Sequence, residues 1–269
     1  MVGSLCLRKR PAGSRRPGEV ILQEFLLKLG TSLAPNLGLG LVGYFARVYD
    51  RSGLVAGVIL GTLITYAFGW GGFLVVLGFV VVGEAASRIG LSRKPVEGTV
   101  EGTVEGQVQP QLALRTWRQV AANLAVPAFG ALVARMTPAA VLKMFFTAAV
   151  AAVAFDAVAS EMGKAFGGKT VTLHDMRVKE AGVSGGISLV GTGSGVIAAV
   201  AVALVALGFG LISPVGMAAY VVLSALLAAA AESLLKSAVG LQSPHLARVI
   251  NALLGGLFAA LFWTGARTL

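Results

Sequence analysis

The chain has 269 residues, 56% of them hydrophobic and only 13% charged. Soluble domains carry roughly a quarter charged residues, so this composition excludes an ordinary soluble fold and places the chain in a bilayer. The net charge of +10 does not point to nucleic acid, because the basic residues cluster at the ends of apolar segments, as expected of cytoplasmic loops that face anionic lipid or phosphate.

Residues 1–30 read as a basic tail. Arg8 to Arg16 are followed not by an apolar run but by Pro17 and Gly18, with Pro11 and Gly13 among them, so a secretory signal is not expected. The single Cys6 excludes an internal disulfide and a cysteine-rich metal site. From 31 to 269 we expect one transmembrane domain. A spanning helix needs roughly 20 apolar residues, and the segments that qualify are 31–47, 53–68, 70–88, 119–136, 139–159, 189–212, 214–236 and 247–265. The 36 glycines suit close helix contact where no hydrophobic effect drives helices together. The expected fold is all-α, a polytopic bundle of seven or eight spans.

Three polar connections separate these spans, at 89–118, 160–188 and 237–246. The first holds a tandem repeat, Glu97-Gly-Thr-Val, Glu101-Gly-Thr-Val, Glu105-Gly-Gln-Val, which reads as a flexible or hairpin-like insertion without chemistry. If 119–136 and 139–159 form a hairpin, all three connections share one side with Arg115, Arg118, Lys164, Lys169, Arg177, Lys179, Lys236 and Arg248. The other side has little beyond Arg135 and Lys143. The asymmetry makes the polar side cytoplasmic. Eight full spans would put the basic tail on the opposite side and seven would put it on the same side. We therefore expect one of 31–47 and 53–68 not to cross.

Ionisable groups inside a span cost about 2.5–3.5 kcal/mol each, which marks them as functional candidates. Asp156 and Glu161 close one span, Glu232 closes another, Glu84 sits in a third, and Asn123 and Asn251 are the amides. Five residues on a helix separate Asp156 from Glu161 by about 140°, so the two meet only if the helix ends between them. After them come Lys164, Lys169, Arg177 and Lys179, then Gly182-Val-Ser-Gly185-Gly186-Ile-Ser188. Carboxylates hold Mg²⁺ together with phosphate oxygens, lysine and arginine neutralise phosphate charge, and a glycine-rich turn opening a helix offers N–H groups to an anion. Jointly they describe a polyphosphate–Mg²⁺ site at a membrane surface. Singly, each has a plainer reading: loop charge, helix-packing glycine, helix-end carboxylate. His174 and His245 are too isolated for a metal pair and read as surface residues. Gly191-Thr-Gly193-Ser-Gly195 reads as helix packing.

The segment Asp156-Ala-Val-Ala-Ser160-Glu161-Met-Gly163-Lys164, with Gly182, Gly185, Ser188 and Gly191 beyond it, resembles the motif of the membrane phytyl-phosphate kinase family. So do Arg115-Thr-Trp-Arg118-Gln119-Val-Ala-Ala-Asn123, Ser52-Gly53 through Gly72, and Glu232-Ser233 with Asn251. Ala157 and Val183-Ser184 depart from the family pattern. The order of motifs is also similar to the CTP-using dolichol kinases and phosphatidate cytidylyltransferases.

The resemblance implies a membrane kinase that moves the γ-phosphoryl of a nucleotide, CTP by analogy, onto an isoprenyl monophosphate. Asp156, Glu161 and Glu232 would hold Mg²⁺, and Lys164, Lys169, Arg177 and Lys179 would clamp phosphates. Gly182, Gly185, Gly186 and Ser188 would approach them, and Arg115, Arg118 and Asn123 would bind acceptor or nucleotide. Two alternatives stay open: a CDP-lipid-forming cytidylyltransferase, and a non-catalytic lipid or ion transporter.

Overall fold

A computed structural model describes residues 17–90, 114–137, 139–179, 185–241 and 243–268. Seven helices run in chain order: α1 (Pro17–Phe45), α2 (Arg51–Arg88), α3 (Trp117–Met136), α4 (Ala140–Phe166), α5 (Leu189–Gly208), α6 (Gly216–Ala238) and α7 (Pro244–Thr268). Between α4 and α5 lie three short strands, β1 (Thr170–Thr172), β2 (Val178–Lys179) and β3 (Gly186–Ile187). All seven helices are long and apolar enough to cross a membrane, so the chain is a polytopic helical membrane bundle. The Glu-Gly-Thr-Val repeat falls outside the described residues.

Helix α2 is not a straight rod. A continuous helix of its length would set Asp50 and Glu84 about 50 Å apart at 1.5 Å per residue. Yet Arg115 touches both: its backbone N–H donates to Val48 O at 2.8 Å, its carbonyl accepts from Asp50 N at 3.3 Å, and its Nη2 donates to Glu84 Oε2 at 3.3 Å. The chain reverses at Gly69, whose φ of 63° and ψ of −149° are non-helical and belong to a region essentially reserved for glycine. A Cβ on Gly72 would sit 3.1 Å from Ile64 O, a contact that only a reversed chain allows. The two arms match the separately expected spans 53–68 and 70–88, and each, at about 27 Å, nearly fills the roughly 30 Å hydrocarbon layer.

Helix α1 runs antiparallel to the first arm. Gly40 packs on Val58, Asn36 Nδ2 donates to Thr65 Oγ1 at 2.8 Å, and the rings of Phe25 and Tyr66 meet edge-on at 6.2 Å. It reaches back to Pro17, well before the expected start at 31, and takes in half of the segment read as a basic tail. Segments 31–47 and 53–68 lie in α1 and α2, both long and apolar enough to cross, where the sequence led us to expect that one of the two does not cross. The fold-back gives α2 two arms, and the start of α1 lies at the end of the bundle opposite the polar connections. Lys28 and Arg135 mark that opposite end, with Lys28 Nζ 4.9 Å and Arg135 Cζ 5.9 Å from the centre of the Tyr66 ring.

Helix α4 is the hub. Ala148, Ala149, Ala151, Ala152 and Ala154 are fully buried, with Phe146 and Phe155 among them. Small residues let five partners close on it. Gly255 of α7 rests against Ala152 and Ala148, Gly195 of α5 against the Phe155 ring, and Gly130 and Gly256 against the two sides of Phe145. The helix-packing reading of Gly191 and Gly195 is the observed one: a Cβ at Gly191 would come 2.7 Å from Ala159 O. Close backbone approach of this kind is how helices gain van der Waals contact in lipid.

Candidate functional site

The polar end of the bundle is built by the last turns of α4 and α6, the first turns of α5 and α7, and the small sheet between α4 and α5. Helix α4 continues through Glu161 and Lys164 to Phe166, past the expected end at 159. This continuation sorts its side chains by face. Asp156, Ala159, Ser160, Gly163 and Lys164 all line one cavity, the one-sided stripe of an i, i+3, i+4, i+7, i+8 series. Glu161 lies off that stripe and does not line the cavity.

The cavity measures about 270 Å³. Its far wall is α6, contributing Leu226, Ala229, Ala230, Glu232, Ser233 and Lys236, and Gly191 and Thr192 of α5 close a third side. Strand order is β2-β1-β3, all antiparallel. Thr170, Gly185, Gly186 and Ile187 of this sheet cover the polar side of the cavity. The turn from β1 to β2 is held by Thr172 Oγ1, which donates to the Asp175 carboxylate. The sheet is tied to α6 by Ser233 Oγ, which donates to Gly185 O at 2.7 Å. Gly185 has φ +76°, and a Cβ there would stand 3.0 Å from Ser233 O and 3.1 Å from Ser237 N, so glycine is required both for the turn and for contact with the α6 backbone. Ser188 caps α5, its Oγ accepting from Gly191 N at 3.0 Å, and is buried at the cavity edge.

Charges meet in pairs here. Glu232 is 1% exposed, and Lys236 Nζ stands 2.6 Å from its Oε1, one helical turn away. Asp156 faces Arg248 of α7, with Nε 4.0 Å from Oδ2, an ion pair too long for a hydrogen bond. The two pairs feel one another: the charges of both Asp156 and Arg248 act on Glu232. One turn below Arg248 on α7, fully buried Asn251 donates to Ala152 O at 2.9 Å and fixes α7 against α4 beneath Asp156.

The expected site residues divide accordingly. Asp156, Lys164, Gly185, Gly186, Ser188 and Glu232 come together at the cavity. Lys169 and Arg177 are exposed just before β1 and β2 and outside the cavity lining, Arg177 facing Asp175 at 3.7 Å. Lys179 lies in β2 with its side chain outside the described residues, and Gly182 is outside them altogether. Arg115 is taken up elsewhere, pairing with Glu84, which also holds Arg88 at 2.8 Å. The guanidinium of Arg118 lies 5.7 Å from the Trp117 ring centre, and Asn123 is buried within α3 with its Oδ1 unpartnered. None of these three lines the cavity. Sequence reasoning missed Lys236 and Arg248 as site residues. The signal for Lys236 was its position four residues after Glu232, the spacing of an ion pair on one helix face. Nothing local marks Arg248, which reaches Asp156 only through the α4–α7 contact.

Among the described residues no group of three or more His, Cys, Asp or Glu is placed to hold a metal ion. The donor set at the cavity is two carboxylates. That number suits Mg²⁺, which takes one or two protein carboxylates and completes its shell with phosphate oxygens and water.

A helical membrane bundle with a charged cavity at one end is the class of protein that the fold and site define. The chain belongs to a family of integral membrane proteins, DUF92, whose model matches residues 35–244. It is similar to an uncharacterized membrane protein, sll0875, of Synechocystis, 32% identical over 89% of this chain and 88% of that protein. It is similar to Protein VTE6, chloroplastic, of Arabidopsis thaliana, 30% identical over 79% of this chain and 64% of the plant protein. An uncharacterized membrane protein of Methanocaldococcus jannaschii, MJ0933, is 26% identical over 69% of this chain and 73% of its own length. No solved structure matches.

Proposed function

We propose that the protein is an isoprenyl-phosphate kinase, transferring the γ-phosphoryl of a nucleotide, with CTP as the preferred donor, to phytyl phosphate or a related isoprenyl monophosphate. The observation that carries this reading is the cavity itself. Two carboxylates and two lysines stand at its polar end, and Phe155, Leu226, Ala229 and Ala230 form its deeper part. An amphiphile with a phosphate head and a hydrocarbon tail matches that division. The resemblance of the Asp156–Lys164 segment to the phytyl-phosphate kinase motif supports the same choice, as does the relationship to the plant chloroplast protein.

Phosphoryl transfer asks the protein mainly for positioning and charge neutralisation. Lys164 and Lys236 supply positive charge at the mouth of the cavity, where phosphates of donor and acceptor would meet. The Gly185–Gly186 backbone, held against α6, offers a close approach without side chains. Asp156 and Glu232 would hold Mg²⁺, whose chemistry is to screen the charge that builds up between the two phosphates. The acceptor needs no strong base, since a phosphate monoester, with a second pKa of about 6, is largely ionised near pH 7. The polar end then faces the cytoplasm, where nucleotide is available.

Asp156→Asn and Glu232→Gln test the reading directly. Purified in detergent and supplied with Mg²⁺, CTP and phytyl phosphate, each should lose at least about a hundredfold in turnover, the scale of removing one oriented electrostatic group. Glu161→Gln, off the cavity face, should keep most activity. Full activity in both cavity variants sinks the site assignment.

A further inference from the structure

We infer that Lys236 and Arg248 are internal counter-ions that occupy the places of a divalent cation on Glu232 and Asp156, and that they pass to phosphate when the cation arrives. Deepening the kinase reading, this inference rests on the cavity accepting a metal and a phosphate.

Three observations lead there. Glu232 is almost wholly buried in the cavity wall, a position that a carboxylate holds in its ionised form only beside a counter-charge. Its counter-charge is Lys236, whose Nζ lies 2.6 Å from Oε1, a close ion pair. Asp156 is balanced loosely by Arg248 at 4.0 Å, beyond hydrogen-bond distance. The Glu232 pair is close and the Asp156 pair loose, and each joins a carboxylate to a partly exposed basic side chain.

The charge count gives the direction. With both carboxylates ionised, Asp156 and Glu232 carry two negative charges against the two positive ones of Lys236 and Arg248. A divalent cation shared by the carboxylates would balance them alone and leave the lysine and the arginine with unsatisfied positive charge beside the cavity. Lys236 is a quarter exposed and Arg248 a third, so both side chains have room to turn towards an incoming phosphate. Lysine on its flexible stem suits a phosphate contact made as a point charge, and arginine suits a forked one. The arrangement couples the two ligands. Metal without phosphate must displace two cations that then have no partner. Phosphate without metal meets a cavity whose cations are already engaged.

The consequence is a rise in metal affinity on removing a site lysine. Compared at a pH where Glu232 is ionised in both proteins, Lys236→Met should bind Mn²⁺ alone about tenfold or more tightly than the wild-type protein, because one competing positive charge a few ångströms away is gone. The same variant should bind CTP–Mg²⁺ more weakly. Arg248→Met should show the same two opposite shifts. The measurement is Mn²⁺ titration by electron paramagnetic resonance on the full chain in detergent, followed by the melting-temperature shift that Mg²⁺ produces in each variant. That shift should be larger in Lys236→Met than in wild type, since cation binding then offsets an uncompensated carboxylate. Unchanged or weaker Mn²⁺ affinity in both folded variants overturns the inference. These readings need no turnover, so a protein that binds as described but transfers no phosphoryl group would count against the kinase reading alone.

Discussion

Gly185→Ala should loosen the sheet from the bundle. The residue sits at φ +76° with the α6 backbone 3.0–3.1 Å from where a Cβ would be. Left-handed backbone costs a non-glycine residue roughly 1–2 kcal/mol. The clash falls on Ser233 O and Ser237 N, helix backbone that cannot turn aside, so the sheet must lift. Lifting it breaks the 2.7 Å bond from Ser233 Oγ to Gly185 O, worth about 0.5–1.5 kcal/mol. The sum is about 1.5–3.5 kcal/mol, or about 3–14 °C in melting temperature at 2–4 °C per kcal/mol for a chain of this size. Ser233→Ala, which removes only the bond, should fall at the lower end. Thermal unfolding in detergent, followed by tryptophan fluorescence, reads both. If Gly185→Ala melts within a degree of wild type, the sheet is not clamped to α6, and its role as the cover of the cavity fails with it.

Gly69→Val should abolish accumulation of folded protein, since the reversal in α2 uses backbone that only glycine adopts readily; a monodisperse variant on size exclusion would show that the arms do not need this turn. Cysteines introduced singly at Arg51 and Arg88 should label from the same side of the membrane, opposite to one at Ala140, and labelling of the first two from different sides would refute the folded-back helix. Glu84→Ala should destabilise the chain by about 1 kcal/mol, because Arg115 and Arg88 lose a carboxylate that is one-fifth exposed and solvent-accessible pairs contribute little more; a loss several times larger, measured by thermal unfolding, would mean the cluster is more than a clasp. Asp50 gives a pH dependence. The Gly53 N–H and then the Ser52 hydroxyl, both donating to its carboxylate, hold its pKa below the usual range. A lowered folded-state value means that this cap's contribution is present above the unfolded pKa of about 4 and is lost as pH falls through the lower folded one. Asp50→Asn should therefore lose its melting difference from wild type as pH drops below about 4, and a difference constant from pH 7 to 3 would contradict the assignment.

How far the residues spoke for themselves follows from the range of the interactions involved. Apolar length marks spans, and each segment it marked overlaps a helix, even with the break between 68 and 70 at Gly69. It could not place the start of α1, because Glu19, Glu24 and Lys28 interrupt a run that nonetheless stays helical. Nor could it place the end of α4. Ser160-Glu161-Met-Gly163-Lys164 is polar by hydropathy, yet mostly suits a helix that has only to leave the membrane. That extension removed Glu161 from the cavity and put Lys164 into it. Asp156 and Glu232 were legible because charge inside an apolar run is rare. Arg115 was misplaced because its partner, Glu84, is brought to it by the reversal of α2. Arg248 was invisible because only the packing of α7 on α4, through Gly255 and Asn251, brings it to Asp156.

The most direct test of the central claim follows the label. The purified protein is given Mg²⁺, phytyl phosphate and CTP carrying label either in the γ-phosphate or in the cytidine ring. Kinase activity predicts γ-label in a lipid diphosphate with CDP released. Cytidine label in the lipid with release of pyrophosphate, or lipid phosphate left unchanged under every nucleotide, would contradict it.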